Sequence, residues 1–346
     1  RHVGKNMGES TSLVYAVVIT YDGLRFLDGC LSTLQGTRYD NLRILLVING
    51  SSDGSEEFVT SSFPNVEVVS LSENIGCLPA CNLGVERAIE RGAEYVVLCN
   101  DDIEVLDDRW LAATIEAMEK DESIALAGFD EQTTREVTVP GQIDFTEVDD
   151  LVGFALVIRA QALKLLGMFD EQFPVFAAED DLLARAQRAG YRSVQSNIPF
   201  LHFGGGTIGR LTPDISLQQM CCALRMCIKH RGPLRTIARW LRIAEIACNP
   251  WAFSFNPADD GHVRMRGKGN PLLGAWLWVR ATIWNLTHLR ETLRARRRDN
   301  WRIHDAQEAL ARPQPPQAAA VQPEERIQTS QPLAATVGSS AAALKR

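Results

Sequence analysis

Tyr95-Val96-Val97-Leu98 runs without a break into Cys99-Asn100-Asp101-Asp102, and this join of an apolar run to a polar loop recurs through the first half of the chain. A continuous β-branched run bounded by turn residues reads as a strand buried on both faces, the situation of a strand in a parallel sheet. Leu13-Val14-Tyr15-Ala16-Val17-Val18-Ile19 ends in Thr20-Tyr21-Asp22-Gly23, and the run 42–48 ends in Asn49-Gly50-Ser51-Ser52-Asp53-Gly54-Ser55. The run 66–69 leads to Glu73-Asn74-Ile75-Gly76. Between the runs, apolar residues at helical spacing, such as Leu24, Leu27, Leu31 and Leu34, predict connecting helices. Strands and helices that alternate through short loops specify a doubly wound α/β domain. Ligands of such sheets lie beyond the carboxyl ends of the strands, so the polar loops are expected to converge on one crevice.

The pattern continues with a helix marked by Trp110, Leu111, Ile115 and Met118, a strand over 124–127, a strand over 151–158 and a helix over 160–166. Ala178-Glu179-Asp180-Asp181-Leu182 opens a helix that stops at Gly190, and a strand over 192–195 leads on to His202. From about residue 216 the pattern turns helical and rich in Trp and Arg, while 311–346 is rich in Ala, Pro and Gln. A tail of that composition cannot bury enough apolar surface to order itself. The expected organisation is a polar leader over 1–10 with Met7 as the natural start, a catalytic domain over 11–212, a basic helical extension over 213–305 and a disordered tail over 306–346.

At 346 residues, with 45% hydrophobic and 23% charged residues, the chain has ordinary globular composition. Its net charge of −7 hides an asymmetry: residues 225–302 hold 16 Lys/Arg against 5 Asp/Glu, a local +11, so the remainder sums to −18. That excess points to an anionic partner, a membrane surface or lipid phosphate ahead of nucleic acid. Leu272, Leu273, Trp276, Leu277, Trp278 and Trp284 would lie in the headgroup layer, and 290–302 on anionic lipid; the other reading is a helical hairpin packed on the catalytic domain. The stretch 272–289 is interrupted by Arg280, Asn285 and His288 and is too short to span comfortably. Eight cysteines show no zinc spacing and no disulfide framework, so a reducing cytoplasm is the expected compartment.

Adjacent carboxylates at a strand end repel each other unless a proton or cation lies between them. Asp101 and Asp102 therefore suggest a hard divalent ion, Mg²⁺ or Mn²⁺, shared with the phosphates of a ligand, although Asn100-Asp101-Asp102 alone would serve equally as a helix-capping turn. The Asn49–Ser55 loop suits the edges of a base and ribose, or caps the next helix. Glu179-Asp180-Asp181 sits at a helix N-terminus, with Asp181 four residues before Arg185 as an ion pair. Two acidic clusters in one crevice divide labour: one holds a cation against a leaving diphosphate, the other takes a proton from an attacking hydroxyl. His202, shortly before Gly204-Gly205-Gly206, is a candidate metal ligand or diphosphate donor, or else a structural histidine at a strand end. Neither a dinucleotide-binding Gly-rich motif nor a P-loop is present.

Taken in order, VVITYDG (17–23), VINGSSDGS (47–55), ENIGCLPACNLG (73–84), LCNDDIEV (98–105), GMFDEQF (167–173), AEDDLLARAQRAGY (178–191) and HFGGGT (202–207) resemble the family 2 inverting glycosyltransferases, in particular their rhamnosyltransferase-like branch. The resemblance implies the GT-A fold, a doubly wound mixed sheet, here with a helical C-terminal extension. It implies a nucleotide-sugar site lined by Thr20, Tyr21, Asp22, Asn49, Asp53, Gly76, Asn82, Asn100 and Asp101, with Asp102 as metal ligand. It also implies a catalytic base in the acidic segment, Glu179 if the motif is counted back from Leu182 and Asp180 if counted forward. Ile48 stands where the family commonly has Asp, and Ala178 where Glu is usual. The function so implied is transfer of a rhamnose- or similar hexose-type sugar from a nucleoside diphosphate to a glycan or lipid-linked hydroxyl in cell-surface polysaccharide synthesis. Rival readings are a sugar nucleotidyltransferase, which would carry a basic Gly-rich loop after the first strand, and a non-catalytic nucleotide- or carbohydrate-binding relative.

Overall fold

Strands β1 (Val14–Thr20), β2 (Leu42–Asn49), β3 (Glu67–Leu71) and β4 (Tyr95–Asn100) are parallel and lie in the order β3-β2-β1-β4. The computed structural model describes residues 12–173, 176–204, 213–249 and 270–311; the leader, Gly205-Gly206 and the segment 312–346 lie outside the described residues. Helices α1 (Leu24–Gln35), α2 (Ser55–Ser62) and α3 (Cys77–Glu90) make the connections. Burial on both faces explains the unbroken apolar runs: Val14, Ala16 and Val18 of β1 enter one core with Leu27 and Trp110, while Tyr15 and Val17 enter the other with Val85 and Leu126. The chain moves outward from β1 to β3 and then returns to the far side of β1 as β4. Strand order therefore reverses between β1 and β4, and a crevice opens at their carboxyl ends.

Beyond β4 come β5 (Ile103–Val105), α4 (Trp110–Lys120), β6 (Ile124–Gln132), β7 (Phe145–Glu147), β8 (Ala155–Arg159), α5 (Ala160–Leu166), α6 (Ala178–Ala189) and β9 (Arg192–His202). β8 runs antiparallel to β4, and β6 antiparallel to β8 but parallel to β9, so the nine-stranded sheet is mixed. Several strands differ from their sequence reading: β5 and β7 have no counterpart in it, β6 runs on to Gln132, and β8 and β9 change their bounds. β8 begins at Ala155, because 151–154 serves as an irregular approach in which the Phe154 carbonyl accepts from Asn100 N–H. β9 continues to His202 rather than ending at Gln195, since Ile198, Phe200 and Leu201 are buried and a register shift beside Gly128 and Asp130 accommodates Pro199. The antiparallel pairing of β5 with β9 sets His202 opposite Ile103, next to Asp102.

Helices α7 (Pro213–His230), α8 (Pro233–Cys248) and α9 (Pro271–Thr287) enclose a small core that includes Met220, Leu224, Ile243, Leu277 and Ala281. α10 (Leu289–Ala311) packs Ile303 and Ala306 into the sheet's second core, so residues 306–311 are helix rather than tail, and the extension and sheet form one unit through Ala311. The seam is electrostatic. Lys229 Nζ, buried on α7, lies 2.8 Å from Asp170, 2.6 Å from Asp181 and 2.9 Å from Asp299. Arg225 pairs with Asp170 at 2.8 Å and Arg185 with Asp181 at 2.9 Å. Part of the basic excess of 225–302 is thus neutralised inside the fold, not offered to a partner. Trp278, which donates to the Trp240 carbonyl, and Trp284, stacked on His288, also pack inward with buried Leu277. Of that apolar set only Leu272, Leu273 and Trp276 remain exposed, and among the described residues no helix is long and apolar enough to cross a membrane.

Candidate active site

The crevice is built from its floor upward. Thr20, the last residue of β1, is buried and its hydroxyl donates to Asp101 Oδ2 at 2.6 Å. Gly23 makes room for that pair, because a Cβ there would strike the Asp101 carboxylate and come within 2.6 Å of Thr20 Oγ1. Burial, with Asp102 adding its charge, pushes Asp101 up to about 6 against the opposing pull of Thr20 and Arg25. A cation in the crevice would let both carboxylates ionise.

Asp102 is also buried, and its Oδ1 stands 3.4 Å from His202 Nε2. His202 Nδ1 donates to Glu131 Oε1 at 2.6 Å, and the ring stacks on Phe154. Burial works against its charge, but the hydrogen bonds and charges of Asp102 and Glu131 raise the imidazole to about 9. An imidazole whose Nδ1–H is fixed by a carboxylate, with Nε2 turned toward a second carboxylate, is a suitable donor arrangement for a divalent ion. Among the described residues no three His, Cys, Asp or Glu side chains gather as a metal site. A cation at Asp102 and His202 would complete its shell with water or ligand oxygens, as Mg²⁺ ordinarily does.

Several residues expected to line the nucleotide pocket are hydrogen-bonded to neighbouring loops and helix starts. Asn49, buried at the end of β2, donates through Nδ2 to Asn74 Oδ1 and the Gly76 carbonyl and accepts from Ile75 N–H, so its amide is spent joining two loops. Gly76, at φ +97°, allows the turn into α3. Asp53 accepts from Leu24 N–H at 2.8 Å, Ser55 N–H at 3.1 Å and Ser55 Oγ at 2.5 Å. Burial opposes its charge, yet those bonds hold the carboxyl below its ordinary value. Asn82 faces the other side of α3, where it exchanges hydrogen bonds with the Phe169 backbone and donates to Glu171. Asp22 accepts from Ser52 N–H while its own N–H donates to Ser51 Oγ, tying the first two loops together. Tyr21 and Asn100 are exposed at strand ends, free to meet a ligand in solution.

The acidic segment divides. Ala177, immediately before α6, takes a left-handed conformation at φ 65°. Glu179 lies over Gly153, where an added Cβ would come within 3.0 Å of Oε1. Asp180 lines a different space, a groove of about 870 Å³ between α6, α7 and α8. Asp181 is turned inward to Arg185, Lys229 and His230, which overcome the effect of burial and hold it well below the usual carboxylate range. Glu179 therefore lies beside the Gly153-Phe154 segment that bonds Asn100 at the end of β4, while Asp180 lines the groove. Sequence reasoning missed Glu131 and Gly153; the acidic pair Asp130-Glu131 at the end of an apolar strand was the available signal for the first.

Residues 15–166 match the family described as Glycosyl transferase family 2. An uncharacterized glycosyltransferase of Haemophilus influenzae is 24% identical over 123 residues, 35% of this chain, and the match spans only 37% of that relative's length. Among solved structures, the complex of S. aureus TarS 1-349 with UDP superposes with a TM-score of 0.50 at 14% identity, covering 86% of this chain and 91% of that one. The Pyrobaculum calidifontis mannosyltransferase PcManGT gives a TM-score of 0.49 at 15% identity, covering 86% of each chain. Residues 15–166 thus carry the match to family 2 glycosyltransferases, and the nine-stranded sheet, completed by β9 beyond them, has the GT-A fold.

Proposed function

We propose that the protein transfers a rhamnose- or similar hexose-type sugar from a nucleoside diphosphate to a glycan or lipid-linked hydroxyl, with inversion at the anomeric carbon, in cell-surface polysaccharide synthesis. One observation carries the reading: Glu179 lies against Gly153, next to Phe154, whose carbonyl accepts from Asn100 N–H, so that carboxylate stands at the end of β4 where the Thr20-bonded Asp101 also lies. Glu179 takes the proton of the attacking hydroxyl, and Gly153 keeps the space beside it clear. The loops tied by Asp22, Asn49 and Asp53 hold the nucleoside, with Tyr21 and Asn100 at its edge. Asp102 and His202 would hold Mg²⁺ or Mn²⁺, with Glu131 fixing the ring, and the ion would neutralise the departing diphosphate. Thr20-Tyr21-Asp22-Gly23 has no basic residue to grip a triphosphate, which disfavours a nucleotidyltransferase. The proposed setting is the cytoplasmic face of a membrane, touched peripherally through α9 and α10.

A thermal-shift screen of nucleoside diphosphates and their sugars, with and without Mn²⁺, tests this reading. A Mn²⁺-dependent shift with a uridine or thymidine diphosphate, accompanied by slow hydrolysis of the matching sugar nucleotide, is expected. Binding without any hydrolysis or transfer would favour the non-catalytic reading, and no binding at all would refute both.

A further inference from the structure

A second concavity, of about 580 Å³, lies beside α10. Arg294, Arg298 and Arg302 line it from successive turns of that helix, over roughly 12 Å at 1.5 Å per residue. Contacts fix its two ends. At one, Arg225, buried on α7, donates to the Thr292 hydroxyl at 2.6 Å and to Asp170 at 2.8 Å, while among the described residues its Nε has no acceptor. At the other, the Arg302 guanidinium lies over Gly167, where an added Cβ would collide with it. α3 contributes Asn82 and Glu86, four residues apart on one helix face. Asn82 exchanges hydrogen bonds with the Phe169 backbone and donates to Glu171 at 2.8 Å, which ties the segment after Gly167 to α3.

The α10 arginines are not neutralised within the fold. Among the described residues no carboxylate comes within ion-pairing distance of Arg294 or Arg302, and Arg298 reaches only Asp299, at 3.6 Å. Burial holds Arg302 below its ordinary value, and the charges of Arg298 and Arg185 press the same way against the pull of Asp299. Like charges four residues apart on a helix repel, so an anion lying along this face would stabilise it. Guanidinium groups pair with carboxylate and phosphate oxygens through parallel hydrogen bonds. Glu86, Glu171 and Glu291 line the same space without bonding to those arginines, and carboxylates accept hydrogen bonds from hydroxyl groups. A bare anion would be repelled by the three glutamates, and a neutral sugar would leave the arginines unanswered. We infer that this concavity binds an anionic sugar, a pyranose bearing a carboxylate or a phosphate, its charged group on the α10 arginines and its hydroxyls on the neighbouring glutamates. The site uses none of the residues assigned to donor, metal or base, so it lies beyond the transferase reading and does not depend on it.

Hydrogen–deuterium exchange of the full chain tests it, with glucuronic acid, glucose 6-phosphate, glucose and inorganic phosphate as probes. One or both of the anionic sugars is expected to slow exchange in α10 by about threefold or more. Half-maximal protection should come at a concentration at least about tenfold lower than glucose or inorganic phosphate requires. The stronger of the two anionic sugars identifies the charged group. Arg298, whose side chain is 56% exposed, can be changed without disturbing the core. Arg298→Glu should remove the protection, Arg298→Lys should retain part of it, and equal thermal midpoints certify that both variants are folded. Equal protection by inorganic phosphate would overturn the sugar, equal protection by glucose would overturn the role of the arginines, and no protection by any probe would overturn the site. Mn²⁺-dependent binding of uridine and thymidine diphosphates is measured on the same samples. If it persists while α10 is unprotected, this site alone fails; if it is absent while α10 is protected, the transferase reading alone fails.

Discussion

Glu131 accepts a 2.6 Å hydrogen bond from His202 Nδ1, and so turns Nε2 of the same ring to within 3.4 Å of Asp102. β6 supplies the first residue and β9 the second, two strands paired in parallel at the edge of the crevice. The relationship converts a lone histidine and a lone carboxylate into an oriented donor pair.

Metal binding should report on that pair. Because His202 holds its proton up to about 9, coordination near neutral pH must displace that proton, and affinity should rise as pH increases toward that value. Titration of Mn²⁺ in the presence of a nucleoside diphosphate, in two buffers of different ionisation enthalpy, should give about one proton released per ion. His202→Asn should remove the release, and Glu131→Gln should weaken the ion by roughly 10- to 100-fold. An unchanged proton count in His202→Asn would exclude the ring as a ligand.

The two acidic residues at the start of α6 should separate kinetically. Glu179→Gln is expected to lower kcat by on the order of 10²- to 10⁴-fold while leaving donor binding intact. Asp180→Asn, in the groove, should leave kcat nearly unchanged. The reverse pattern would assign the base to Asp180.

Gly23→Ala should be far more damaging than a methyl group suggests. The added carbon displaces Asp101 from Thr20, so Mn²⁺-dependent nucleotide binding should fall by at least about tenfold, while the thermal midpoint moves by only a few degrees. Retention of full nucleotide affinity would place the diphosphate elsewhere.

Lys229→Met should unfold or nearly unfold the protein. It would leave Asp170, Asp181 and Asp299 without their shared cation, and breaking a buried ion pair from one side costs about 3–5 kcal/mol. Urea unfolding measures the loss. A change below about 1 kcal/mol would show that the seam contributes no more than a surface ion pair.

Acid should attack the same seam. Burial raises Asp170 and Asp181, but their cationic neighbours more than reverse it, so both carboxyls fall below their ordinary value of 3.8. Their contribution is fully present above that value and is lost as pH falls through it toward the folded-state values. Urea midpoints should hold between pH 7 and 5 and drop steeply below about pH 4, and Asp170→Asn should flatten the drop.

What was legible in the chain was legible for local reasons. β-branched runs such as Val14–Ile19 and Tyr95–Leu98 can hide their side chains only inside a two-sided sheet, and their polar ends must then face one crevice. Asp101 and Asp102 advertise a cation because neighbouring carboxylates repel wherever they lie. The roles of Asn49 and Asn82 were not legible, because an amide that grips a ligand and one that grips a backbone look identical until its partners are placed. Glu131 joins His202 across 71 positions and Lys229 meets Asp299 across the seam, while Glu179 and Asp180 face different neighbours because successive positions on α6 turn by about 100°. The sequence by itself determined the sheet, its crevice and the acidic chemistry found there. Only the tertiary structure decided which carboxylates face ligand and which face cations within the protein, because that choice depends on contacts between segments remote in the chain.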